Sequence, residues 1–136
     1  MMFMKRLLES KMTPYSSGKY AEFLCRLYMR CLGYKIIKKN YRAPKNRKRT
    51  PFGELDFIAL RKNRIVFCEV KKRNNDTDFL KALSYKQQKR ILNGGLNFLK
   101  QHKKYSSYSM EFDVFFVKFP FSIKRIKNAL YCDKII

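Results

Sequence analysis

Acidic residues are scarce in this chain: 10 of its 136 residues are Asp or Glu, against 32 Lys and Arg, for a formal net charge of +22. A domain so unbalanced repels itself and calls for polyanionic company, with nucleic acid ahead of an anionic membrane surface. Histidine is rarer still, with His102 alone near a helix end and no role to give it. The cysteines Cys25, Cys31, Cys68 and Cys132 form no CxxC pair and sit mostly among apolar neighbours. That argues against a zinc site or a secreted disulfide framework, and they read as reduced core thiols. No stretch approaches the ~18 apolar residues that mark a membrane-crossing helix, and the opening MMFMKRLLESK has no signal-type apolar region. A cytoplasmic protein with no membrane partner is expected. No internal repeat or low-complexity segment is present. What the chain does have is 46% hydrophobic content, including 12 Phe and 9 Tyr, enough for one core and too little for two.

Residues 1–16 end in the loop-like KMTPYSS and read as a flexible leader, leaving 17–136 as a single domain. SGKYAEFLCRLYMRCL, from Ser17 to Leu32, predicts a helix with Ser17 as N-cap and Gly33 at the stop position. Its polar residues Glu22, Arg26 and Arg30 recur every four positions and so line one side. YKIIKKNYR, 34–42, predicts an edge strand. The next segment, 43–52, has no periodicity and carries Lys45, Arg47, Lys48 and Arg49, a basic loop suited to a phosphate backbone or to plain solvation. GELDFIAL and RIVFCEVK predict an antiparallel hairpin. Ser84 and Gln87 fit a capping box that opens a second helix, YKQQKRILNGGLNFLKQH. Gly94 and Gly95 each cost that helix about 1 kcal/mol relative to Ala, for which close packing on the sheet would compensate. EFDVFFVKF predicts one more strand, and FSIKRIKNALYCD a basic tail without a fixed structure. The order is α, three strands, α, strand.

A chain short of acids places Glu54, Asp56 and Glu69 inside two hydrophobic strands. Strand alternation puts Glu54, Asp56, Ile58 and Leu60 on one side, with Leu55, Phe57 and Ala59 on the other. A turn centred on Lys62-Asn63 pairs residues whose numbers sum to 125, so Asp56 faces Glu69 and Glu54 faces Lys71. Opposed like charges destabilise a sheet, and a hard divalent cation such as Mg²⁺ neutralises such a pair. Lys71 reaches the same spot from along the strand. The combination outlines metal-assisted phosphodiester hydrolysis, against the blander reading of solvent-face acids paired with lysines.

Asp56 followed by Glu69-Val70-Lys71 resembles the PD-(D/E)XK nuclease motif. With GELDFIAL...IVFCEVKKR, the preceding LGYKIIKKNYR, the later EFDVFFV and IKNAL, the chain resembles the YraN family, described as predicted endonuclease-like and related to Holliday junction resolvases, from about Gly18 to Leu130. The resemblance implies an α/β, restriction-endonuclease-like α-β-β-β-α-β core with a mixed central sheet flanked by helices. It implies Mg²⁺ or Mn²⁺ held by Asp56, Glu69 and the first-helix Glu22, with Lys71 as catalytic lysine. Without it, Glu22 reads as an ion-pair partner of Arg26. Glu54 would support the site by anchoring Lys71 or a loop. The family's second helix tends to open with a glutamine, and Gln88 lies on the apolar stripe better than Gln87. The expected partner is DNA, branched or duplex, contacted by the basic loop and by Lys72 and Arg73. Choosing between them depends on dimer geometry, so a homodimer stays open. The competing readings are a nucleic-acid-binding module that keeps the fold without cleaving, and an interaction protein for an acidic partner.

Overall fold

Helix α1 spans Pro14–Cys31, in a computed structural model that describes residues 14–43, 52–72 and 83–130, with side chains from Ser17 onward. It opens at Pro14, at a helix start where a missing N–H costs nothing. Ser17 therefore lies one turn inside and does not cap it; its hydroxyl accepts a 2.6 Å hydrogen bond from Lys72 Nζ. The last residues assigned to the leader are thus helical, and residues 1–13 lie outside the described ones. At the other end Gly33, with φ of +91°, lets the Tyr34 and Gly33 amides donate back to the Met29 and Arg30 carbonyls at 3.0 Å each. This double bond pattern is what a glycine stop is for.

Strands β1 (Lys35–Arg42), β2 (Glu54–Arg61) and β3 (Arg64–Lys72) form an antiparallel meander. Helix α2 (Tyr85–Gln101) then carries the chain over to β4 (Ser109–Lys118), which lies parallel to β3. Ser84 caps α2 in a full capping box with Gln87, as its spacing predicts. The basic tail is not unstructured. Ser122–Ile126 forms a fifth strand, β5, antiparallel to β4, because Phe116 and Val117 offer an open edge that Lys124 and Ile123 can pair with. The result is an α/β fold with a mixed sheet in the order β1-β2-β3-β4-β5 and β1 at an edge.

Each face of the sheet is covered. On one, Ala21, Cys25 and Met29 of α1 pack on Phe57, Ala59, Val66, Cys68 and Phe115. On the other, Ile91, Leu92 and Phe98 of α2 pack on Leu55, Ile58, Ile65, Phe67 and Phe112. The α2 glycines are needed there. A Cβ on Gly94 would lie 3.0 Å from Glu54 N, and one on Gly95 would lie 2.6 Å from the Phe112 ring. The helix backbone therefore touches the start of β2 and brings the first half of α2 over the strand ends. Cys25 and Cys68 are buried core thiols, but Cys31 is exposed because the helix ends before turning it inward; Cys132 lies outside the described residues.

Candidate active site

The β2–β3 register is the predicted one, from Arg61↔Arg64 to Phe57↔Cys68, closed by the Lys62-Asn63 turn. The paired rungs end there, one residue short of Asp56 and Glu69. Asp56 Oδ2 instead accepts a 2.7 Å hydrogen bond from the Val70 N–H, so its carboxylate occupies the gap where a rung would be. Side-chain alternation also breaks at this point. Leu55 joins Ile58 in the α2-side cluster, while Phe57 and Ala59 lie on the α1 side, which corrects the expectation of Leu55, Phe57 and Ala59 on one face. The displacement of Asp56 into the inter-strand gap is its physical cause.

That gap is where the acids meet. Glu22, projecting from α1, lies within hydrogen-bonding reach of Asp56, and burial, the Asp56 charge and this contact push its carboxyl up to about 7 against the pull of Arg26 and Lys19. Glu69, only 5% exposed, also touches Asp56. Burial first, then the Asp56 charge and hydrogen bond, push it up to about 9, with Lys71 and Arg90 pulling the other way. Lys71 Nζ sits 3.5 Å from Glu69 Oε2. Asp56 is therefore the hub, flanked by one acid from each side.

No group of three or more His, Cys, Asp and Glu among the described residues forms a ready metal cage. The donor set nevertheless suits Mg²⁺, which commonly takes one or two carboxylates and keeps water for the rest. Glu69 and Asp56 offer oxygens whose excess negative charge the protein only partly offsets, since the cations near Glu69 stand at 3.5 and 3.8 Å, beyond strong hydrogen-bond length.

The other predicted residues are placed as follows. Glu54 pairs with Arg42 across β1 at 3.7 Å and does not anchor Lys71, whose ammonium turns toward Glu69. Gln88 Nε2 donates to the Leu83 carbonyl at 3.0 Å, tied to the start of α2. Lys72 is exposed and bonded to Ser17. Lys45, Arg47, Lys48, Arg49 and Arg73 lie outside the described residues, though the Ala43 N–H donates to the Gly53 carbonyl at 2.9 Å and so closes the base of the basic segment next to Glu54. His102 stacks on Phe98 at 4.1 Å.

The sequence reading missed Arg90. Its guanidinium lies 3.8 Å from Glu69 Oε2, and its Nε is buried with no hydrogen-bond partner. A signal was present: Arg90 stands one helical turn before Gly94, the residue that lets α2 touch the sheet.

The profile described as "Uncharacterised protein family UPF0102" matches residues 21–117. The chain belongs to this family, the YraN family of the sequence resemblance. A UPF0102 protein of Ehrlichia ruminantium (strain Gardel) is 36% identical over 112 residues, 82% of this chain and 81% of its own. One of Thermodesulfovibrio yellowstonii is 37% identical over 116 residues, 84% of this chain and 95% of its own. A third, from Bradyrhizobium diazoefficiens, is 32% identical over 107 residues, 79% and 75% of the two chains. The UPF0102 match takes in Glu22, Asp56, Glu69, Lys71 and Arg90 alike. Among the described residues, no helix is long and apolar enough to cross a membrane.

Proposed function

We propose that this UPF0102 protein is a Mg²⁺- or Mn²⁺-dependent endonuclease-like hydrolase of DNA phosphodiester bonds, with branched DNA as one substrate form. The observation that supports this most is the contact of buried Glu69 with Asp56 beside Lys71 and Arg90. Acids gathered this way disfavour one another in an apo fold, and a hard cation relieves them. Asp56 and Glu69 would hold the ion, with Glu22 as a further carboxylate. When bound, the ion supplies a Lewis acid beside the scissile phosphate.

The chain's own groups account for the remainder. Lys71, whose ammonium stands at the cluster, offsets charge that builds on the phosphate as the bond breaks. Arg90 presents a second cation from the opposite layer. The basic segment carrying Lys45, Arg47, Lys48 and Arg49 springs from the strand ends that carry Glu54 and Asp56, a placement that suits backbone phosphates near the cut. Gln88, held by Leu83, would act on water or base only after releasing that carbonyl.

The test incubates wild type, Asp56→Asn and Glu69→Ala with branched, flapped and duplex DNA in Mg²⁺ or Mn²⁺. Metal-dependent cleavage by wild type alone supports the reading. Equal cleavage by the variants discredits the site, and intact DNA in every lane with metal-independent binding favours a non-catalytic nucleic-acid-binding protein.

A further inference from the structure

The far end of β3 carries a second feature. Around the Lys62-Asn63 turn, a cavity of about 330 Å³ is lined by Tyr34, Arg61, Lys62, Asn63, Arg64 and Ser109. Its lining contains no acid, and no described residue forms an ion pair with Arg61, Lys62 or Arg64. Arg61 and Arg64 are also direct cross-strand partners, an arrangement in which like charges destabilise the hairpin. Between them Lys62 takes φ of +53°, a left-handed conformation that Asn or Gly adopts at lower cost. The other non-glycine residues with positive φ, Asn40 and Asn128, follow that preference. Three cations are thus gathered where sheet energetics and backbone geometry both oppose them.

The cavity is shaped on one side by a fixed wall. Tyr34 is 6% exposed, held in place by the helix stop, and its ring has the Arg61 guanidinium carbon 5.8 Å from its centroid. Across the mouth, the Ser109 N–H donates to the Asn63 carbonyl at 2.9 Å, which fixes the turn to β4. The Ser109 hydroxyl and the Asn63 amide add neutral donors beside the cations.

We infer that this pocket binds a phosphate group of a nucleic-acid strand, held by Arg61 and Arg64 with Lys62 at its rim. Guanidinium forks suit phosphate oxygens, and a bound dianion turns the Arg61–Arg64 repulsion into attraction. The chain's +22 charge favours a polymeric phosphate source over a free one. Five residues of β3 separate Arg64 from Glu69, a distance of about 17 Å along the strand. The pocket is therefore separate from the carboxylate cluster, and binding there does not require hydrolysis at the cluster.

The test measures binding of a fluorescently labelled short DNA duplex against salt, with chelator present so that metal and cleavage play no part. Wild type, Arg61→Ala/Arg64→Ala and Lys38→Ala/Lys39→Ala are compared; the last removes the same charge from exposed positions of β1. The Arg61/Arg64 variant is expected to bind at least about tenfold more weakly, with a salt slope lower by about two. A loss no larger than that of the Lys38/Lys39 variant overturns the inference. In wild type, inorganic phosphate should shift the backbone amide resonances of Asn63 and Ser109, and duplex should displace it; unchanged resonances with both ligands overturn it independently of any variant. A nucleoside monophosphate that binds as tightly as the duplex assigns the pocket to a free nucleotide and overturns the nucleic-acid source.

Discussion

Replacing Glu69 by Gln should stabilise this protein at alkaline pH. Burial and the neighbouring Asp56 keep the Glu69 carboxyl protonated up to about 9, against 4.5 for the free side chain. Across that window the folded state holds a proton that the unfolded chain releases. Stability therefore falls as pH rises from the lower value to the higher, the reverse of an ordinary salt-bridged carboxylate. Each decade of proton concentration is worth about 1.4 kcal/mol, which sets a ceiling of about 3 kcal/mol lost by neutral pH. Gln keeps the shape and removes the ionisation. Urea denaturation followed by circular dichroism should show Glu69→Gln more stable than wild type by about 1–3 kcal/mol near neutral pH. The gap should shrink toward pH 4.5, where the wild-type carboxyl is half protonated even when unfolded. Mg²⁺ should raise the wild-type midpoint, by about 2.7 kcal/mol when present at a hundredfold its dissociation constant, and raise the variant's much less. The opposite outcome has a definite meaning. If Glu69 is a structural partner of Lys71 and Arg90, then Glu69→Gln leaves two cations unpaired and destabilises the fold at neutral pH. A variant less stable than wild type throughout, or a gap independent of pH, would refute the charge-frustrated site.

Three further outcomes test the surroundings. Gly95→Ala puts a methyl group within 2.6 Å of the Phe112 ring, and overpacking of this kind should cost about 1–3 kcal/mol in urea melts. Arg125→Met strands Asp113, which is fully buried and bonded to Arg125 Nε at 2.7 Å, so its loss should cost about 3–5 kcal/mol and loosen β5, read as faster amide exchange over Ser122–Ile126. Native-state alkylation followed by peptide mapping should modify exposed Cys31 and spare Cys25 and Cys68 until the protein unfolds; burial pushes the Cys25 thiol up to about 12 and raises Cys68 as well, which keeps the reactive thiolate scarce.

Local chemistry was legible in the sequence where one interaction decides the structure. Gly33 announced its helix stop, Ser84 and Gln87 their capping box, and the short polar turn its register. Ser17 misled because a helix start depends on the residues before it as well as on the cap type. β5 was hidden because Ser122–Ile126 alternates Lys124 with Ile123 and Arg125 with Ile126, a pattern that becomes a strand only when β4 offers its edge. The site was legible in its acids, which stand out in a basic chain. Arg90 was not, since in a sequence with 32 Lys and Arg a single cation carries no signal until its neighbours are known.

The two buried acid clusters show why the surroundings of an acid matter more than its burial. Asp113 has no exposed surface, and burial pushes its carboxyl up to about 7 while the Asn128 amide and Arg125 pull it down. Its oxygens are both engaged at short range, by Arg125 Nε at 2.7 Å and the Asn128 N–H at 3.0 Å. Arg125 also reaches Glu111 at 3.4 Å, so this cluster carries its own counter-charge and closes on itself. A cation entering there would displace an arginine already in place. Glu69 is nearly as buried, yet its cationic neighbours stand off at 3.5 and 3.8 Å and its closest carboxyl neighbour is another acid. One cluster is arranged to fasten β5 to β4. The other is arranged so that added positive charge lowers its free energy, which is the property a metal-dependent site requires and a structural ion pair does not.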